Sequence, residues 1–165
     1  MSNDALPNYP GKELEAMSFA ENYHRWIIDE IEPYLGETVA EVGAGIGSVS
    51  RLLLRTRIRR LRAFEPSQNM YPFLAEALRQ EARAQAVNDF FRPMSPPQDF
   101  DSVVYINILE HVEDDRAELA NAHVALKPNG HVVVFVPALN MALQRYGRAF
   151  GARTSIHEAP SASSR

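Results

Sequence analysis

Thr38-Val39-Ala40-Glu41-Val42-Gly43-Ala44-Gly45-Ile46-Gly47-Ser48 is the stretch whose reading decides the fold. An apolar run from Thr38 to Val42 meets three glycines at alternate positions. It then passes into Ser48-Val49-Ser50-Arg51-Leu52-Leu53, which is able to form a helix. The pattern reads as a strand, a glycine turn and a helix start. Glycine suits such a turn because the chain reverses at backbone angles that a Cβ resists, and because a ligand can then lie directly against the backbone. The start of the following helix offers unpaired N–H groups. Taken alone, an ordinary strand-to-helix turn explains the stretch equally well, so its surroundings decide.

Downstream, Arg60 to Glu65 has the character of a second strand and ends on a carboxylate. Glu65 follows the glycines by roughly 20 residues, the distance at which one βαβ unit returns an acid beside a ligand's ribose. A ribose diol offers two O–H donors and a carboxylate two acceptor oxygens, so the two match. Pro66-Ser67-Gln68-Asn69 leads into a helix expected over Met70 to Ala82, with Pro72 tolerated in its first turn. A short third strand is expected at Ala84 to Val87, followed by Asn88-Asp89-Phe90 and a proline-rich loop from Phe91 to Gln98. Phe100 to Ile106 reads as a buried strand opening into Asn107. Asp114 or Asp115 caps a helix with Leu119, Ala122 and Leu126 as its apolar face, closed by Lys127-Pro128-Asn129-Gly130. The β-prone run His131 to Val136 follows.

Upstream, Ala20, Tyr23, Ile27 and Ile31 recur at helical spacing within Lys12 to Glu32, and Pro33 with Gly36 stops the pattern. Tyr23 and Trp26 lie near that apolar stripe, as core residues or as a cover over a ligand. Strands that are continuous apolar runs alternate with helices, which predicts an α/β fold: a doubly wound, mostly parallel, Rossmann-like sheet of about five strands with helices on both faces. Ligands of such sheets bind beyond the carboxyl ends of the strands, where Glu41 to Gly47, Glu65, Asp89 and Asn107 all fall.

The chain has 165 residues, 45% hydrophobic and 23% charged, with a net charge of −4. Those values suit one globular domain and give no sign of a nucleic-acid binder that works by counterion release. The arginines at 51, 55, 57, 59, 60 and 62 read as a solvated face. Cysteine is absent, which excludes disulfides, thiolate metal sites and cysteine nucleophiles, and a cytoplasmic location is compatible with that. No signal peptide is visible, and Val132 to Leu143 falls short of a membrane span. The expected organisation is a loose N-terminus over 1–11, a domain over 12–150 and a flexible tail over 151–165.

Glu41-Val42-Gly43-Ala44-Gly45-Ile46-Gly47, Glu65, the run Phe100 to Val104 leading to Asn107-Ile108-Leu109-Glu110-His111-Val112, and Leu126 to Val132 stand in the order of a class I S-adenosylmethionine-dependent methyltransferase, which the chain resembles over Tyr23 to Pro137. The resemblance implies S-adenosyl-L-methionine as cofactor and methyl transfer to a small-molecule acceptor. It implies that Gly43, Ala44, Gly45 and Gly47 lie along the methionine and ribose, with Glu41 organising the loop. Glu65, next to Pro66, would bind the ribose hydroxyls, Met70 would pack on the adenine, Asp89 would accept from its amino group beside Phe90, and Asn107 would face the methionine end. Asp89 has a rival reading as a loop-initiating Asx residue, and Met70 as core filler. No metal is implied. No catalytic acid or base is identified, since a sulfonium needs mainly an oriented acceptor.

The family's sheet has an antiparallel C-terminal strand pair that this sequence lacks room for. After Pro137 come a helix candidate, Ala138 to Phe150, and a small polar tail. The run His131 to Val136 is then expected as the sheet edge, open to the C-terminal helix or to a second copy of the chain. Two other functions stay in view: a cofactor-binding module without transfer, and a nicotinamide-dependent oxidoreductase. The dinucleotide fingerprint argues against the last, because Ser48 stands where its third glycine belongs.

Overall fold

A computed structural model describes residues 21–92 and 99–136 and the backbone of His157 and Glu158. The expected loose N-terminus, the helix candidate at Ala138 to Phe150 and the rest of the tail lie outside the described residues. In chain order the elements are α1 (Glu21–Ile31), a 3-10 turn (Glu32–Tyr34), β1 (Thr38–Val42), α2 (Ser48–Leu53), β2 (Arg60–Phe64), α3 (Tyr71–Leu78), β3 (Ala84–Val87), β4 (Phe100–Ile106), a second 3-10 turn (Leu109–His111), α4 (Asp115–Ala125), β5 (Leu126–Phe135) and β6 (His157–Glu158).

The strands form one sheet in the order β3-β2-β1-β4-β5-β6. β1 to β5 pair in parallel, and β6 lies antiparallel on β5, with His131 opposite Glu158 and Val132 opposite His157. The edge of β5, expected to stand open to the C-terminal helix or to a second copy of the chain, is therefore met by two residues of the tail. The strand order reverses between β1 and β4, which puts the topological switch point directly beyond the glycine turn.

Alternation along the strands sends side chains to two separate cores. Val39, Val104 and Val133 face one side with Ile27, Ile31, Leu53 and Leu74, so α1, α2 and α3 pack there. Ala40, Val103 and Tyr105 face the other with Phe64, Phe91, Phe100, Ala122 and Ala125, so α4 packs there. Each fully buried leucine or isoleucine contributes about 1.5–3 kcal/mol to this arrangement.

The helical stripe of α1 is seen as expected, with Ile27, Ile28 and Ile31 buried. Asp114 is the cap of α4, its side chain accepting from the Ala117 N–H at 2.9 Å. The expected apolar face of α4 is displaced: Leu119 is exposed, and the inward stripe is Glu118, Ala122 and Ala125. α3 ends at Leu78 rather than Ala82. β5 begins at Leu126, opposite Phe100, and its next pairing joins His131 to Ser102. Lys127 to Gly130 thus form a bulge in the strand rather than a separate helix stop. The arginines at 51, 55, 57, 59 and 60 are exposed, and Arg62 stacks over Phe64 and Phe100, 5.4 and 5.9 Å from the ring centres. Among the described residues no helix is long and apolar enough to cross a membrane.

At the edge of the sheet away from the glycine turn, Thr38, Asp101 and Lys127 bind β1, β4 and β5 together. The Thr38 N–H and hydroxyl both donate to Asp101 Oδ2 at 2.7 Å, and Lys127 Nζ donates to Asp101 Oδ1 at 3.0 Å and to Thr38 Oγ1 at 2.9 Å. Burial pushes the Asp101 carboxyl up, but the hydrogen bonds from Thr38 and Lys127 outweigh that and hold it below its usual range. Its contribution to stability is full above the unfolded value of about 3.9 and is lost as pH falls through the lower folded value. Asp101→Ala is expected to destabilise the domain by about 1–3 kcal/mol, through the stranded Thr38 N–H and Lys127 ammonium, and to make the acid limb of the stability curve shallower. Urea denaturation of both proteins across pH 3–7 checks both effects.

Candidate functional site

The turn that follows β1 is held by β2. Gly43 and Ala44 donate their N–H groups to the Phe64 carbonyl at 2.9 and 3.0 Å, and Gly47 N–H closes a turn on the Ala44 carbonyl at 3.0 Å. Gly43 has φ +71°, and a Cβ there would fall 2.4 Å from Ile108 Cγ1, so only glycine fits. Gly47 has φ +85° and leads into α2. A Cβ on it would come within 3.1 Å of Ala77 and 3.2 Å of Leu74, so its smallness lets α3 approach the turn.

Glu65 ties the turn down. Its Oε2 accepts from the Gly45 N–H at 2.7 Å and its Oε1 from the Ser67 N–H at 2.8 Å. The backbone N–H groups of the glycines are therefore engaged by the protein itself, contrary to the expectation of bare amides, and the turn comes to a ligand as a preset surface. Burial raises the Glu65 carboxyl while the Ser67 and Gly45 amides oppose the rise. Glu41, wholly buried, is pushed up to about 8 by burial. The 2.5 Å hydrogen bond from Ser50 Oγ offsets this in part, and the neighbouring Glu65 adds to it.

Beyond the strand ends lies a cavity of about 460 Å³. Glu41, Gly43, Ala44, Gly45, Glu65, Pro66, Met70, Phe90 and Asn107, all expected from the sequence, line it together. Two expected residues are not among its lining. Gly47 is spent on packing against α3, and Asp89 is exposed, its carboxylate accepting from the Phe90 N–H at 2.8 Å and pairing with Arg92 at 3.5 Å. That contact reaches the next residue rather than the second one on, which an Asx turn uses. Asn88 takes a part in the frame instead, donating from Nδ2 to the Glu65 carbonyl at 2.9 Å.

Asn107 closes β4 in the left-handed region at φ +54°, with its N–H on the Phe135 carbonyl at 2.7 Å. Its Oδ1 is buried with no partner among the described residues. Sequence reasoning missed two titratable wall residues. His24 of α1 is 6% exposed and faces the cavity, and burial lowers its pKa, which keeps the imidazole neutral. Glu118 of α4 accepts from the Tyr105 hydroxyl at 3.1 Å, and burial raises its carboxyl against that hydrogen bond. The helical spacing of His24 to Ile27 and Ile31, and of Glu118 to Ala122 and Ala125, was the available signal. Among the described residues no group of three or more acids and histidines is placed to hold a metal ion.

The sequence profile of a methyltransferase domain matches residues 40–132, just over half of the chain. The chain belongs to this methyltransferase domain family. The matched segment runs from β1 to β5 and so contains the glycine turn, Glu65 and Asn107. No curated protein matches the domain in sequence. Among solved structures, an S-adenosylmethionine-dependent methyltransferase from Aquifex aeolicus superposes with a TM-score of 0.65 at 12% identity, over 77% of this chain and 72% of that one. Phosphoethanolamine N-methyltransferase 2 from Haemonchus contortus, in complex with S-adenosyl-L-methionine, gives 0.58 at 22%, over 68% and 27%. The [4+2]-cyclase SpnF gives 0.60 at 17%, over 81% and 48%. The methyltransferase domain thus spans less than half the length of the last two. At these identities the likeness is one of fold.

The acid inside the turn gives a pH test. A raised folded pKa means that Glu41 contributes stability fully below its unfolded value of about 4.3, and that this is lost as pH rises through about 8. Glu41→Gln keeps an acceptor for Ser50 and removes the buried charge. It is expected to flatten the alkaline limb, so that the variant gains stability relative to wild type between pH 5 and pH 9, as read by urea denaturation at the two values.

Proposed function

We propose that this domain binds S-adenosyl-L-methionine in the cavity beyond β1 and β4 and transfers its methyl group to a small-molecule acceptor. The observation that carries the reading is the meeting of the preset glycine turn, the Glu65 carboxylate and the orphaned Asn107 Oδ1 in one cavity at the switch point. Family membership supports it, as do fold neighbours described as dependent on this donor.

The residues fit the donor part by part. Each Glu65 oxygen already accepts one backbone N–H and keeps a further lone pair for a ribose hydroxyl. Met70 and Phe90 supply apolar surface for an adenine. The Asn107 side chain hydrogen-bonds the Tyr23 hydroxyl and leaves Oδ1 as an acceptor that a donor ammonium group satisfies. Asp89 makes both of its contacts through Oδ1 and keeps Oδ2 as an acceptor, but it stands outside the lining of the cavity.

Bound S-adenosylmethionine supplies a methyl group already polarised by its sulfonium, so the task left to the chain is to hold an acceptor in line with that methyl. The walls around Asn107 do this by enclosure, with α1 contributing His24 from one face of the sheet and α4 contributing Glu118 from the other. A second reading, a donor-binding module without methyl transfer, is favoured by the service of this fold in a cyclase.

Calorimetry is expected to show S-adenosylhomocysteine binding and no heat with NAD. The reverse result defeats the proposal. Glu65→Ala releases the Gly45 N–H and removes the ribose acceptor, and is expected to weaken S-adenosylhomocysteine at least tenfold. Transfer of a labelled methyl group to a small-molecule extract separates the first reading from the second.

A further inference from the structure

Resting on the methyl-transfer reading, we infer that the cavity, with His24, Glu113 and Glu118 in its lining, recognises a protonated amine on the acceptor, and that acceptors carrying phosphate or carboxylate in its place are excluded. The charge of the lining is one-sided. Glu65, Glu113 and Glu118 line the cavity together with Glu41, whose carboxyl is pushed up to about 8 and so is neutral at pH 7; His24 and His111 also line it, and among the described residues no lysine or arginine does. The nearby Arg92 is taken up by Asp89 and the Phe90 ring.

The four acids fall into two sets. Glu41 and Glu65 sit at the ends of β1 and β2, engaged with Ser50, Gly45 and Ser67, and belong to the donor side. Glu113 and Glu118 come from the segment leading into α4 and from its first turns. Glu118 Oε1 holds the Tyr105 hydroxyl and leaves its second oxygen available, and Glu113 makes no hydrogen bond or ion pair among the described residues.

His24 is the independent sign of a ligand. It is more than nine-tenths buried, lines the cavity, and makes no hydrogen bond among the described residues, its one recorded contact being the Tyr23 ring at 5.7 Å. Its ring nitrogens are not among the enclosed unpaired atoms, so water reaches them in the cavity and a ligand group there can take the water's place. A neutral imidazole offers one accepting nitrogen and a carboxylate accepts at both oxygens, so an ammonium group, which only donates, suits all three. An anion meets two carboxylates and, among the described residues, no lysine or arginine of the lining.

The test uses the full chain saturated with S-adenosylhomocysteine and two probes of matched size and opposite charge, phenethylamine and 3-phenylpropionate. Calorimetry or saturation-transfer NMR is expected to show phenethylamine binding at least tenfold more tightly, with that preference shrinking as salt is raised. Glu118→Gln combined with Glu113→Gln is expected to cut the preference to under threefold while S-adenosylhomocysteine still binds. If S-adenosylhomocysteine binds and 3-phenylpropionate matches or exceeds phenethylamine, or neither probe binds, the amine site is overturned and the donor reading stands. If S-adenosylhomocysteine itself does not bind, both fall. Should the double variant fail to fold, the two probes on the wild-type chain decide alone.

Discussion

The site depends on one buried contact: the Glu65 carboxylate between the Gly45 and Ser67 amides. It sits where burial opposes its charge, and the two backbone donors are what make that charge tolerable. Through them the end of β2 fixes the turn after β1, while the paired Gly43 and Ala44 amides on the Phe64 carbonyl fix the same turn from the backbone. Remove the acid and the turn loses its side-chain anchor, and the cavity loses the surface it is built on. A residue that reads in sequence as a ligand group is first a structural brace, and its fitness for a ribose follows from the lone pairs left over.

The layered sheet was plain in the sequence because continuous apolar runs such as Phe100 to Ile106 have few alternatives to a doubly covered strand. The glycine turn was equally plain. Less legible was what the glycines are for. Gly43 yields to Ile108 and Gly47 to Leu74 and Ala77, contacts far apart in sequence that no local pattern encodes. α4 misled for a related reason: Leu119 fits an apolar periodicity, but the strand beneath presents a tyrosine hydroxyl, and the helix rotates to bring Glu118 to it. Tertiary hydrogen bonding outweighed one exposed leucine. The spacing of His24 to Ile27 and Ile31 marks only a buried position; that it opens on a cavity depends on the opposite wall, which no local pattern encodes.

The cavity takes one residue from each side of the sheet. α1 and α4 belong to different cores, yet His24 and Glu118 reach the same space beyond β4. Their relative position therefore depends on the thickness of both layers. Electrostatics divides the same way, with the acids of β1 and β2 committed to internal hydrogen bonds and those around α4 left with free acceptor capacity.

The clasp of Thr38, Asp101 and Lys127 stands at the far pole of the strands from all of this. Three neighbouring strands are locked there, while the opposite rim holds the turn, the acids and the walls. Such polarity uncouples endurance from chemistry. The rim can change one side chain at a time with the seam below still shut, and the same framework can carry a different cavity lining without first having to be rebuilt.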